Sequence, residues 1–332
     1  MVSAQVADRA RGALYGLAIG DALGMPTQML SRAQITERWG PLLTGFEPAP
    51  PGHPIAAGMP AGAVTDDTEQ AVLLARLLLA GPVDPRELAA ALVAWELDMA
   101  ARGSLDLLGP STRRAVSAVV AGTPPEESGT GGDTNGAAMR ITPVGIATAA
   151  GRLTALVDAV QRASMVTHNT SVALAGASAV AAAVSAGVAG ASTVTEVTEV
   201  AVAAARLGGQ RGHWVAGADV AARIRWAAGL AAGRAPEDAA AVIYSLVGTS
   251  LATQESVPAA FAVLSAVPDD PWQACLLAAS LGGDCDTIAA MAGAIGGAVH
   301  GLSAFPAHAV AVIDAHGFAL AELADALLAT RR

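Results

Sequence analysis

The sequence predicts an all-α protein folded as a single multi-helix domain over residues 1–332, and three observations lead there. Hydrophobic residues make up 53% of the chain but aromatic residues only 3%, so Ala and Gly carry much of the apolar content. Ala is the best helix former and small side chains let helix backbones approach closely, whereas sheets usually draw on Tyr, Phe, Ile and Val. No alternation of apolar and polar residues lasts the length of a strand, and apolar stripes at helical spacing recur between Gly, Pro and Asp. Neither a repeat of fixed period nor a linker divides the chain.

A first helix is expected from about Ala7 to Ala22, where Leu14, Leu17 and Ala18 form one stripe, with Pro26 stopping it. A short helix follows from the N-cap Ser31 to Trp39, closed by Gly40 and Pro41. Residues Leu42 to Ala63 carry Pro48, Pro50, Pro51, Pro54 and Pro60 and are expected to form a loop. Thr65 has the chemistry of an N-cap for an apolar-striped helix over Glu69 to Leu79. Asp84 and Pro85 open the next helix, a cap followed by proline at the first helical position. Gly122 to Gly132 reads as a second loop, and beyond Asn135 the chain is mostly helix.

Asn169 to Thr195 contains no Asp, Glu, Lys or Arg, which invites a membrane reading. Its Ala, Ser, Gly and Val, and its lack of flanking Trp, Tyr, Lys and Arg, instead fit a helix buried in a soluble core. The net charge of −10 excludes a general nucleic-acid or anionic-membrane surface, which needs a basic patch. A small phosphate-bearing ligand stays open, because one bound cation or helix terminus reverses the local field. Cys275 and Cys285 form neither a zinc cluster nor a disulfide framework and read as small buried hydrophobes. The apolar run after Arg9 and Arg11 reaches Asp21 too soon for a secretion signal, so a cytoplasmic location is expected.

Two acidic clusters lie far apart in sequence yet have the same character: Thr65-Asp66-Asp67-Thr68 and Gly282-Gly283-Asp284-Cys285-Asp286-Thr287. Each precedes an apolar helical run, so ordinary N-capping accounts for one side chain in each. Neighbouring carboxylates repel one another without a cation, and a donor set of oxygen without His or Cys suits Mg²⁺, Mn²⁺ or Ca²⁺ rather than zinc. Asp284 and Thr287, three apart, share one helix face, while Asp286 points elsewhere and is placed to reach a second ion.

The chain resembles the ADP-ribosylglycohydrolase family. The matching phrases are Gly12-Ala13-Leu14-Tyr15-Gly16 with Gly20-Asp21-Ala22-Leu23-Gly24, then Thr65-Asp66-Asp67-Thr68. They continue with Asn135-Gly136-Ala137-Ala138-Met139-Arg140 and Thr167-His168-Asn169, and end at Gly282-Gly283-Asp284 with Asp286-Thr287. The resemblance implies an all-α fold, a binuclear Mg²⁺ centre (Mn²⁺ being the alternative) and hydrolysis of the bond to the distal ribose of an ADP-ribosylated protein or small molecule. It implies Thr65, Asp66, Asp67, Asp284, Asp286 and Thr287 as metal ligands, and Asp66, Asp67 or Asp286 as the group that takes a proton from water. It places Asn135 and Gly136, with the glycines just before them, beside the diphosphate, Asp133 and Thr134 among the substrate-binding residues, and His168 against the ADP-ribose. Asp21 lies in a matching phrase with its role open between site and brace, and Arg140 reads as structural.

Two departures from the family pattern matter. Where many relatives carry Glu seven residues after the Asp of their Gly-Asp phrase, at a catalytic position near the metals, this chain has Gln28. An amide coordinates through its oxygen but cannot take a proton from water. Cys285 replaces the usual Thr between two aspartates, where a soft thiol is not attractive to Mg²⁺. A non-catalytic ADP-ribose-binding or structural protein on this fold is therefore the alternative, with hydrolysis of another ribosyl metabolite as a third reading. Trp39, Phe46, Trp214 and Tyr244 are the aromatic candidates to stack on adenine.

Overall fold

The computed structural model describes residues 3–102 and 108–331, and among them there are 18 α-helices and no strand. The first half holds α1 (Ala4–Gly24), α2 (Arg32–Trp39), α3 (Asp66–Ala80), α4 (Pro85–Ala101), α5 (Pro110–Val120), α6 (Pro125–Ser128), α7 (Gly136–Met139), α8 (Thr142–Ala147) and α9 (Leu153–Ser164). The second holds α10 (Ser171–Val188), α11 (Val194–Gly208), α12 (Val220–Ala231), α13 (Pro236–Val242), α14 (Thr253–Ala266), α15 (Pro271–Ala279), α16 (Cys285–His300), α17 (Ala307–Asp314) and α18 (Leu320–Ala329). One continuous apolar cluster runs from Ala10 in α1 to Leu328 in α18.

The capping chemistry works as read. Ser31 and Gln34 form a reciprocal capping box on α2, and the Asp84 carboxylate accepts from the Arg86 amide with Pro85 in the first turn of α4. The first helix is longer than its apolar stripe, from the cap Ser3 to Gly24. The Gly122 to Gly132 segment is not all loop: Pro125, Glu126 and Glu127 start the short α6, an N-terminal composition that suits the helix dipole. Helix α10 is the charge-free stretch, capped by Thr170 and 94% buried inside the fold, with no long face left for lipid.

The closest packing in the molecule is between α1 and α16. Gly12, Gly16, Gly20 and Gly24 fall four apart and so line one face of α1. A Cβ on each would run into backbone of α16, at Gly297, Gly293, Ala289 and Asp286 respectively, so the two helices are antiparallel with their main chains in contact. This register carries Asp21, near the end of α1, to the start of α16, where Asp284 and Asp286 sit. Gly16→Val is expected to lower stability by about 3 kcal/mol or to abolish folding, because neither backbone can yield to an overpacked side chain. Denaturant unfolding monitored by circular dichroism checks this, and a midpoint equal to wild type would refute the register.

Candidate active site

Both acidic clusters stand at helix starts, where loop backbone meets free N–H groups. Thr65 caps α3 in extended conformation with Asp66 and Asp67 in the first turn, and Asp284 sits at the cap position of α16 with Asp286 just inside it. Gly282 and Gly283 adopt φ of 92° and 81°, a left-handed run that other residues resist. The turn they make is pinned on both sides. Gly283 donates to the Leu30 carbonyl at 2.8 Å and accepts from the Met29 amide at 2.7 Å, while the Asp284 amide donates to the Thr249 carbonyl at 2.7 Å. The same pairing carries Gln28 to the cavity that Asp284 lines.

Asp21 is fully buried and braces the first cluster. Its carboxylate accepts from the Thr65 and Thr68 amides and from both hydroxyls, at 2.8 Å for Thr65 Oγ1 and 2.5 Å for Thr68 Oγ1. It also belongs to the cluster it braces. Asp21, Asp67 and Asp286 each offer one carboxylate oxygen, all within 4.8 Å of one another, and form a buried acidic triad able to hold a metal ion. Asp67 Oδ2 lies 3.3 Å from Thr65 Oγ1 and accepts from Thr287 Oγ1 at 3.4 Å. Asp66 accepts from Gln70 Nε2 at 3.2 Å, and Asp284 accepts from Asn135 Nδ2, which donates also to Ser256 Oγ at 2.9 Å.

All five carboxylates are buried, and burial pushes the protonation of each upward. Burial is the first cause for Asp66, Asp67 and Asp286, which stand well above the ordinary carboxylate range, and the neighbouring aspartates add to it. Asp284 is raised by burial to about 6, moderated by its hydrogen bonds from Asn135 and Thr287. Asp67 Oδ1 and Asp286 Oδ1 are buried with no hydrogen-bond partner, the arrangement expected where a cation rather than a donor completes the shell. The donor set is all oxygen, so the residues present fit a hard divalent ion.

Asp66, Asp67, Asp284, Asp286 and Thr287 line one cavity, and Gln28, Thr134, Asn135 and Gly136 share its wall. Gln28 is 4% exposed and its Nε2 has no partner. Thr65, Asp133 and His168 are not part of that wall. Thr65 is turned to Asp21; the Asp133 carbonyl is held by Thr253 Oγ1 at 2.9 Å; and His168 is fully buried behind Thr134, with Nε2 3.0 Å from its hydroxyl. Gly132 and Gly136, before and within the Asn135 phrase, are explained by protein contacts, whereas a Cβ on Gly131 would meet open space. A Cβ on Gly132 would enter the Thr167 carbonyl, and one on Gly136 would lie 2.8 Å from His168 Cε1.

None of Trp39, Phe46, Trp214 and Tyr244, the aromatic candidates to stack on adenine, lines the cavity. Phe46 packs on Trp272 at 5.8 Å between ring centroids, Arg38 lies over Trp39, and Trp214 is 81% exposed elsewhere. The apolar wall comes instead from Met29, Ile55, Leu108, Met139 and Leu251. Sequence reading did not single these out, since isolated apolar residues in loops, or at the end of the short α7 as Met139 is, carry no signal of a cavity.

Cys275 and Cys285 are fully buried, and burial pushes the Cys285 thiol up to about 12. Neither is expected to react with a disulfide reagent in the native protein at about pH 8, while both react after unfolding. Rapid native labelling at either position would contradict that placement.

An all-helical chain that gathers aspartates from three helices beside one cavity defines a class of protein: a helical fold built around a buried carboxylate cluster able to hold a metal ion. The sequence profile of ADP-ribosylglycohydrolase matches residues 2–332, and the chain belongs to that family. Membership implies a glycosyl hydrolase. The chain is 36% identical over 311 residues to the uncharacterized protein YegU of Escherichia coli (strain K12), covering 93% of this chain and 92% of that one. It is 33% identical over 154 residues to the ADP-ribosyl-[dinitrogen reductase] glycohydrolase of Rhodospirillum rubrum, covering 45% of this chain and 47% of that enzyme. A solved structure described as an ADP-ribosylglycohydrolase-related protein complex superposes with a TM-score of 0.72 at 27% identity, covering 99% of each chain.

Proposed function

We propose that this chain is a Mg²⁺-dependent hydrolase that cleaves the glycosidic bond to the distal ribose of an ADP-ribosylated protein or small molecule. The observation that carries the reading is the buried triad of Asp21, Asp67 and Asp286 with its unpartnered oxygens, opening on a cavity beside Asn135 and Gly136. Asp66, Asp67, Asp284, Asp286, Thr65 and Thr287 are the proposed holders of two ions, with Asp21 added to the set. When bound, such ions supply positive charge that fixes vicinal hydroxyls and acidifies water.

The chain's own residues supply the rest. Scission at the anomeric carbon passes through an oxocarbenium-like state, which the negative charge of the aspartate cluster stabilises. One of Asp66, Asp67 and Asp286 takes the proton of the attacking water, because Gln28 has no basic oxygen at neutral pH. Asn135 holds Asp284 in place through Nδ2, so its role toward the ligand is exercised partly through that carboxylate. Isothermal titration with ADP-ribose tests the site: binding that requires Mg²⁺ supports it, and equal binding in chelator removes the metal from the reading.

A second reading, an ADP-ribose-binding protein without turnover, is favoured by one observation, the neutral Gln28 with its Nε2 unpartnered in the cavity wall. Gln28→Glu separates the two. Turnover already present in the wild type supports the enzyme, whereas turnover that appears only in the variant supports the binding protein.

A further inference from the structure

Arg140 is the largest fully buried side chain, and among the described residues it makes no ion pair. Its hydrogen bonds go to neutral groups instead: Nη1 donates to Gln70 Oε1 at 2.9 Å and Nη2 donates to Thr167 Oγ1 at 2.5 Å. From each of these a chain of contacts leads back to the cavity. Gln70 Nε2 donates to Asp66 Oδ2 at 3.2 Å, and Thr167 Oγ1 meets His168 Nδ1 at 2.7 Å, with His168 Nε2 lying 3.0 Å from Thr134 Oγ1. Asp66 and Thr134 both line the cavity, so the buried guanidinium is joined to two separate points of its wall.

The geometry points to Arg140 as a positioning residue that fixes the direction of every hydrogen bond in this chain and thereby turns the Thr134 hydroxyl into a donor toward an oxygen acceptor on the ligand. This rests on the cavity being the ligand site proposed above.

A guanidinium donates and never accepts. Gln70 must therefore turn its oxygen to Arg140, which leaves its NH₂ for Asp66 and removes the flip ambiguity of the amide. Thr167 must accept from Arg140 and has one proton to give. Its alternatives are the Ser164 carbonyl at 3.5 Å and His168 Nδ1 at 2.7 Å, and the shorter contact takes the proton. His168 then carries its own proton on Nε2 and donates it to Thr134 Oγ1. With its acceptor side engaged at the wall, Thr134 directs its O–H into the cavity, where a phosphoryl or ribosyl oxygen is the complementary group. Burial, with Arg140 and Arg114 adding to it, holds His168 well below the ordinary imidazole range, so the ring stays neutral as the chain of donors requires. His168 thus acts through Thr134, not by touching the ligand itself.

The test reads the ring first. Two-bond ¹H–¹⁵N correlation of ¹⁵N-labelled protein, with His168 assigned by a His168→Gln variant, is expected to find a neutral ring protonated on Nε2 in the wild type. Arg140→Met is expected to populate the Nδ1–H form. If that variant does not fold, Thr167→Val breaks the chain one link further on and is expected to do the same. Thr134→Val is expected to weaken ADP-ribose binding about tenfold, the loss of one good hydrogen bond to a charged acceptor, while Thr134→Ser keeps wild-type affinity. Adding Thr167→Val to Thr134→Val is expected to bring no further loss. A wild-type ring protonated on Nδ1 or on both nitrogens would overturn the proposal, and so would unchanged binding by Thr134→Val. If the wild type binds no ADP-ribose at all, the proposed function fails, and the wild-type tautomer still decides the relay.

Discussion

Replacing Asp67 and Asp286 together by Asn is expected to remove metal-dependent turnover, by about three orders of magnitude or more, since stabilisation of developing charge supplies most of the acceleration in reactions of this kind. The same double variant is expected to be more stable than the wild type when both are free of metal. The two carboxylates are buried, lie in one triad with Asp21 and are each pushed upward by burial and by neighbouring aspartates, so their neutral amides relieve a repulsion that only a cation otherwise relieves. Activity and metal-free stability therefore move in opposite directions. A loss of both together would mean that Asp67 and Asp286 serve the fold rather than an ion.

The second large effect is on the pH dependence of stability. A carboxyl whose folded pKa is raised gives stability that is fully present below its unfolded pKa and is lost as pH rises through the folded value. All five aspartates of the site are shifted in that direction. Asp284 alone, moved from 3.8 to about 6, amounts to about 3 kcal/mol over that window. Metal-free protein is thus expected to lose stability steadily from about pH 4 upward, and Mg²⁺ is expected to restore it increasingly toward neutral pH, where the ligands are ionised. Thermal unfolding across pH with and without the ion measures both. A metal-free protein that gains stability between acid and neutral pH would contradict the sign.

Much of this is legible in the sequence because it depends on local chemistry. Thr65 and Ser31 announce helix starts, and the abundance of Ala and Gly announces closely approaching helices, as α1 against α16 bears out. The two acidic phrases are recognisable as one site only because they share a character and a family pattern; nothing local says that residues 66 and 286 meet. Where the sequence falls silent, the reason is three-dimensional. The sequence leaves Asp21 open between site and brace, and only the packing of α1 on α16 makes it a member of the triad. The family pattern puts His168 at the ligand, yet the tight turn over Gly132 and Gly136 sets it one layer behind Thr134. Arg140, a lone cation in an apolar run, has its meaning only in the contacts of Gln70 and Thr167, which come from two other parts of the chain.

The decisive measurement is release of free ADP-ribose from a panel of ADP-ribosylated proteins and small molecules, incubated with the wild-type chain in Mg²⁺ and in chelator. Release is expected from at least one member in Mg²⁺, from none in chelator, and from none with Asp67→Asn/Asp286→Asn in either condition. Release that persists in chelator or in the double variant would mean that the bond is broken somewhere other than at the carboxylate cluster.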